Sequence, residues 1–154
     1  MSHTAVSPIP AATYARSLAT GRTRSVGWAL AATLAALAWQ AATVHFNYGG
    51  NWTALFITGQ MYGVPPTLAS EHVYVVPNAG WDGQFYHVIA HDPLLRNSSS
   101  LRFLDFQRLR YRRILVPGLA YLLALGDQSR IDSAYRLVIL GFVLLGCYLS
   151  LIHI

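Results

Sequence analysis

Nineteen consecutive residues without a charge, Val26 to Val44 (VGWALAATLAALAWQAATV), constrain this chain more than any other feature. As a helix they reach about 28 Å, close to the ~30 Å apolar core of a bilayer. Gln40 is their one strongly polar member. Basic residues before the run and small residues near its end also fit a cleaved signal peptide, but the run is long for one and further apolar segments follow. We therefore expect a membrane span. Composition agrees: hydrophobic residues make up 54% and charged residues 11% of the 154, against about 25% charged in soluble domains.

The expected fold is an all-α membrane protein with about three spans. Residues 1–25, rich in Ser, Thr, Ala and Pro, read as a disordered cytoplasmic tail. The spans are expected over about 26–44, 108–125 and 133–154, with an outer loop over about 45–107. Arg16, Arg22 and Arg24 precede the first span and no basic Lys or Arg follows until Arg96. That asymmetry puts the N-terminus inside and the loop outside. Within the loop, Trp52, Leu55, Phe56 and Met61 have helix-like spacing and predict a short interfacial helix, and Val73 to Pro77 an extended piece. The second span needs residues from Arg108 onward, because Ile114 to Leu125 alone is too short. Pro117 is expected to kink it. Gly126 to Asp132 reads as a tight inner turn. The chain ends inside the third apolar run, at LSLIHI, and this reads as the front of a longer multi-span protein cut short.

All the positive side chains are Arg, and the net charge is +5. The Arg residues flank apolar runs and form no soluble basic face, so nucleic acid is not an expected partner. Six of them (Arg96, Arg102, Arg108, Arg110, Arg112, Arg113) fall on the outer side, against the positive-inside tendency. Cys147 lies alone in an apolar run, which excludes an internal disulfide.

Polar chemistry is concentrated in GWDGQFYHVIAHDP, Gly80 to Pro93. A helix is predicted over Gly83 to His91, closed by Asp92-Pro93. Asp82 reads either as its N-cap or as a general base whose partial burial raises its pKa. His87 and His91, four apart, share a helix face. The glutamate of HExxH is missing, and Glu71, His72, Asp82 and Asp92 are the available third ligands. No metal and no other cofactor is assigned. Downstream, Arg102, Asp105, Arg108 and Arg112 would share one side of a continuous helix, with Asp105 pairing with Arg102 or Arg108. Arg112 and Arg113 have no local acid. At membrane depth such a group faces protein, water or phosphate, and anionic lipid headgroups are its simplest partner.

Together, the first apolar helix, the Asp-centred WDGQFYHVIAHDP and the Arg-rich RYRRILVPGLAYLLALG resemble the N-terminal part of bacterial multi-span glycosyltransferases of the GT-C superfamily, over roughly Trp28 to Gly126. The resemblance implies a polyprenyl-phosphate sugar donor, transfer on the outer membrane face and inverting chemistry. By position, Asp82 corresponds to the first-loop acid acting as base. Gln84, Tyr86, Arg108, Arg112 and Arg113 are the expected substrate contacts. The implied partners are a lipid-linked sugar donor and membrane lipids; no protein partner is indicated. The contrasting reading is a non-catalytic multi-pass assembly or scaffolding subunit whose Arg cluster binds anionic lipids.

Overall fold

A computed structural model describes residues 11–69 and 71–153, with side chains from residue 22 onward. Within these residues the chain is mostly helical: α1 (Ala11–Tyr48), α2 (Gly83–His91), α3 (Gln107–Tyr111), α4 (Leu115–Leu123) and α5 (Ile131–His153), with short 3-10 turns between them. The two strands, β1 (Thr58–Gly59) and β2 (Val75–Val76), pair in parallel, Thr58 with Val75 and Gly59 with Val76.

Two helices are long and apolar enough to cross a membrane, in segments Arg22–Tyr48 and Gln128–His153. Their large side chains point outward: Trp39 is 76% exposed, Phe46 81% and Leu137 60%. An apolar surface of this extent needs a lipid or protein covering. The expected tail is helical from Ala11 through Ser25 as a continuation of α1, and residues 1–10 lie outside the described residues.

The stretch expected to form the second span differs from that expectation. Residues 108–125 are divided between α3 and α4 by a break at Arg112–Ile114. The nine residues of α4 reach about 14 Å, under half of a bilayer core. Pro117 sits within the first turn of α4, where its missing N–H costs no bond and no kink is needed. The turn after α4 is not on a side opposite the loop. Gly126, at φ +74°, reverses the chain, and Gln128 and Asp132 then contact α2 directly. α5 starts beside the end of α1, with the Arg136 guanidinium 4.4 Å above the Trp52 ring, and packs back along α1.

The loop between the long helices has its own core. Leu68, Phe85, Val88, Ile89 and Leu104 are buried together, with Tyr62, Val64 and Val73 around them. A second cluster of small residues, Ala90, Ala120, Ala124 and Ala134 around Ile131, lets α2, α4 and α5 approach closely. The interfacial helix expected around Trp52 to Met61 is one 3-10 turn, Trp52–Phe56, followed by β1. Asn51 caps that turn through its side chain, and Ile57 ends it in the left-handed region. Val75–Val76 within the expected extended piece is strand β2.

Candidate functional site

α2 begins and ends where its sequence indicates, and its tight seating comes from glycines. A Cβ on Gly59 would lie 2.2 Å from the Ala79 carbonyl carbon, and one on Gly80 would lie 2.4 Å from the Gly59 nitrogen. Only bare backbone allows this crossing. Gln84 locks it from inside: its Oε1 accepts from the Gly59 N–H at 3.0 Å and its Nε2 donates to the Ala79 carbonyl at 2.7 Å. Gln84 is thus buried and committed to the scaffold, in contrast to the substrate contact expected of it.

Asp82 does not cap α2. Its backbone is already helical and its side chain makes no cap bond. The carboxylate turns instead to Arg110, a residue the sequence reading left unassigned. Arg110 Nη1 and Nη2 bond both Asp82 oxygens, at 2.7 and 2.8 Å, and Nε and Nη2 bond both Asp105 oxygens, at 2.7 and 2.6 Å. Such forked Arg–carboxylate pairs fix direction as well as charge. Asp105 therefore pairs with neither Arg102 nor Arg108. The reason is local: Leu104 is extended and α3 starts only at Gln107, so Arg102, Asp105, Arg108 and Arg112 share no continuous helix.

The Arg110 guanidinium is buried and lies 4.4 Å above the Phe85 ring. The two carboxylates drive its pKa further upward. In return Arg110 holds the Asp82 and Asp105 carboxyls below the ordinary carboxylate range. The raised pKa expected for Asp82 is thereby reversed: its side chain is 66% exposed, so desolvation is outweighed by the ion pair. Tyr86 joins the group. Its hydroxyl accepts from Arg110 Nη1 at 3.5 Å and from Arg113 Nη1 at 3.4 Å.

Of the predicted substrate contacts, Tyr86 and Arg113 therefore stand beside Asp82. Arg108 and Arg112 line a neighbouring open cleft of about 440 Å³ with Asp105, Phe106, Gln107 and Leu109. None of Arg108, Arg112 and Arg113 forms an ion pair among the described residues.

The other face of α2 is buried. His87 and His91 point to Asp132 in the first turn of α5, with His87 Nε2 2.8 Å and His91 Nε2 3.2 Å from the same oxygen, Oδ1. Burial holds the His87 imidazole below its ordinary pKa. Its ring stacks on Phe56, centroids 3.9 Å apart and planes 2° apart. None of Glu71, His72, Asp82 and Asp92 joins the two histidines. Asp92 accepts the N–H groups of Arg96 and Asn97 and closes the turn after α2. The one sequence signal for Asp132 is an acid opening an apolar helix, a common response to the helix dipole.

No protein-family model, curated protein or solved structure matches this chain.

Proposed function

We propose that this chain acts in an integral-membrane glycosyltransferase that moves a sugar from a polyprenyl-phosphate donor to an acceptor hydroxyl on the outer membrane face, with the N-terminus of α1 cytoplasmic. The observation that carries this reading is Asp82: an exposed carboxylate aimed by a buried arginine, next to Arg113 and a cleft holding Arg108 and Arg112. Phe106 and Leu109 share that cleft and are 72% and 42% exposed, so apolar surface and cationic groups lie together. A lipid carrying a phosphate offers both kinds of contact.

In this chemistry the acceptor oxygen bonds to the anomeric carbon as the bond from that carbon to the phosphate oxygen breaks. The phosphate leaves with the electron pair, and Asp82 takes the acceptor proton. The low pKa of Asp82 keeps it ionised at neutral pH but makes it a weak base. A weak base suffices where the proton leaves late, after the hydroxyl has begun to bond to an electron-poor, oxocarbenium-like carbon. Arg113 and Arg112 would stabilise charge growing on the phosphate.

The test is sugar transfer from polyprenyl-phosphate-linked sugars by membranes carrying the protein or its Asp82→Asn variant. Loss of general-base assistance is expected to cost at least about 100-fold in turnover. Unchanged turnover at equal expression removes Asp82 from the mechanism. A second reading, a non-catalytic membrane subunit binding anionic lipid, draws on the same three unpaired arginines. Nanodiscs holding either phosphatidylglycerol or undecaprenyl phosphate separate the two. Equal retention of both lipids favours the subunit, and selective retention of the polyprenyl phosphate favours the transferase.

A further inference from the structure

We propose that His87, His91 and Asp132 form a binding site for one divalent transition-metal ion of the zinc class, joining α2 to the start of α5. One ring nitrogen of each histidine and an Asp132 carboxylate oxygen all lie within 4.8 Å of one another, and Nε2 is the nitrogen facing Asp132 on both rings. Around a tetrahedral ion with ligand bonds of about 2.0–2.1 Å, ligand atoms stand about 3.3 Å apart. The observed 2.8 and 3.2 Å separations to Asp132 are near that value, and the separation between the two ring nitrogens, within 4.8 Å, closes toward it on binding.

Hydrogen bonding at His91 shows which nitrogen is free to ligate. The Gln128 amide nitrogen is used on the His91 carbonyl oxygen at 3.2 Å. Its amide oxygen therefore faces His91 Nδ1, at 2.8 Å. That contact is attractive only if Nδ1 carries the proton. In neutral His91, Nε2 then has a lone pair, and it is directed at an Asp132 oxygen that also has only lone pairs. Two acceptors at 3.2 Å need either a shared proton or a metal ion between them. A ring N–H given to a carbonyl while the other nitrogen ligates is the usual arrangement of metal-bound histidine.

His87 completes the convergence. It is fully buried, its Nε2 is directed at the same oxygen, and its Nδ1 has no hydrogen-bond partner. With Nε2 ligating, Nδ1 keeps the ring proton without an acceptor, so it is stacking on Phe56, and no ring hydrogen bond, that fixes the plane of this ligand. Two imidazoles and one carboxylate select borderline ions over magnesium or calcium, which prefer all-oxygen ligands. Asp132 also lines a cavity of about 310 Å³ with Gln40, Trp52 and Arg136.

The experiment uses the full chain in detergent, purified through a tag without histidines and stripped with chelator. Zinc is titrated by calorimetry, and cobalt by its visible absorption. One equivalent of tight binding is expected, with the intense cobalt bands of a four- or five-coordinate site and a rise in unfolding temperature with free zinc. Gln128→Leu, which leaves all three ligands in place, is expected to weaken binding about 10–100-fold. Asp132→Asn is expected to weaken it further, while His72→Ala at an exposed histidine leaves it unchanged. Should a ligand variant fail to fold, the wild-type cobalt spectrum still decides. Absence of stoichiometric zinc binding by the wild-type chain, or equal binding by the Asp132→Asn variant, overturns the proposal and leaves a shared proton as the bridge between His91 and Asp132.

Discussion

The two faces of α2 solve opposite electrostatic problems. On one, Asp82 lies in contact with water and is held by an arginine whose five N–H donors reach two carboxylates and a tyrosine. On the other, two histidines are removed from water and share a single carboxylate oxygen. At about 100° per residue, Asp82 and Tyr86 fall within about 40° of each other, and His87 and His91 lie roughly opposite. The exposed face has cations to spare, in Arg108, Arg112 and Arg113. The buried face has a lone-pair excess. The nine residues of α2 therefore lie between spare cations supplied by α3 and the turn after it and, on the buried side, two imidazoles facing one carboxylate.

Both faces depend on the same support, so the largest effect is expected where that support is removed. Gly59→Ala places a methyl group against the Ala79 backbone, where a Cβ would sit 2.2 Å from carbon. Relief requires the Gln84-bonded crossing to open. The expected cost is about 3 kcal/mol, at the upper end for overpacking, seen as a fall in unfolding temperature in detergent. If the two faces are one unit, zinc binding and phosphate-lipid binding decline together in this variant. Loss of only one would show that α2 is held independently of the glycine crossing.

Arg110→Met comes next. It removes the shared partner of Asp82 and Asp105. Breaking a buried pair costs about 3–5 kcal/mol, but Asp82 is 66% exposed and can take up water. About 2 kcal/mol is therefore expected, mostly from Asp105. Zinc binding should survive, because no His87 or His91 contact passes through Arg110. Loss of zinc binding alongside would break the separation of the faces.

The limits of α2 and the residues on each of its sides were legible in the sequence, and the partner that holds each side was not. The limits of α2 follow from Gly83 and Asp92-Pro93, and the i, i+4 spacing of the histidines gives their common side. Their partner Asp132 is 41 residues beyond His91 and arrives only because α4 is too short to carry the chain away. Arg110 was hidden for a related reason. Asp105 and Arg110 are five apart, a spacing no regular helix brings together, and they meet because the chain turns at Leu104–Phe106. Apolar length identified the two long helices, but the same measure merged α3 and α4 into one segment. A break at Arg112–Ile114 leaves no trace in hydropathy.

Acid should weaken the exposed face. Asp82 and Asp105 have folded-state pKa values below their unfolded ones, with Arg110 as the first cause. Their contribution to stability is complete above the unfolded value, about 4, and is lost as pH falls through the lower folded values. Unfolding temperature is therefore expected to fall on going from pH 5 to pH 3 in the wild-type chain. Asp105→Asn should flatten that fall and lower stability at pH 7. An equal slope in both chains would mean that other carboxylates control acid unfolding.

The smallest structural effect, and the sharpest functional one, belongs to Arg113→Gln. The side chain is exposed and its bond to the Tyr86 hydroxyl, at 3.4 Å, is long, so stability should change by no more than about 0.5 kcal/mol. Asp82 keeps both of its bonds to Arg110, so the carboxylate stays in place. What changes is the charge facing any phosphate beside Tyr86. Retention of undecaprenyl phosphate in nanodiscs is expected to weaken about 10-fold, equivalent to about 1.4 kcal/mol, with phosphatidylglycerol retention and zinc binding unaltered. A variant that retains the polyprenyl phosphate normally would separate Asp82 from the lipid phosphate. Arg108 and Arg112 in the adjoining cleft would then be the anion-binding surface, and an acceptor hydroxyl, without the donor, would be what Asp82 meets.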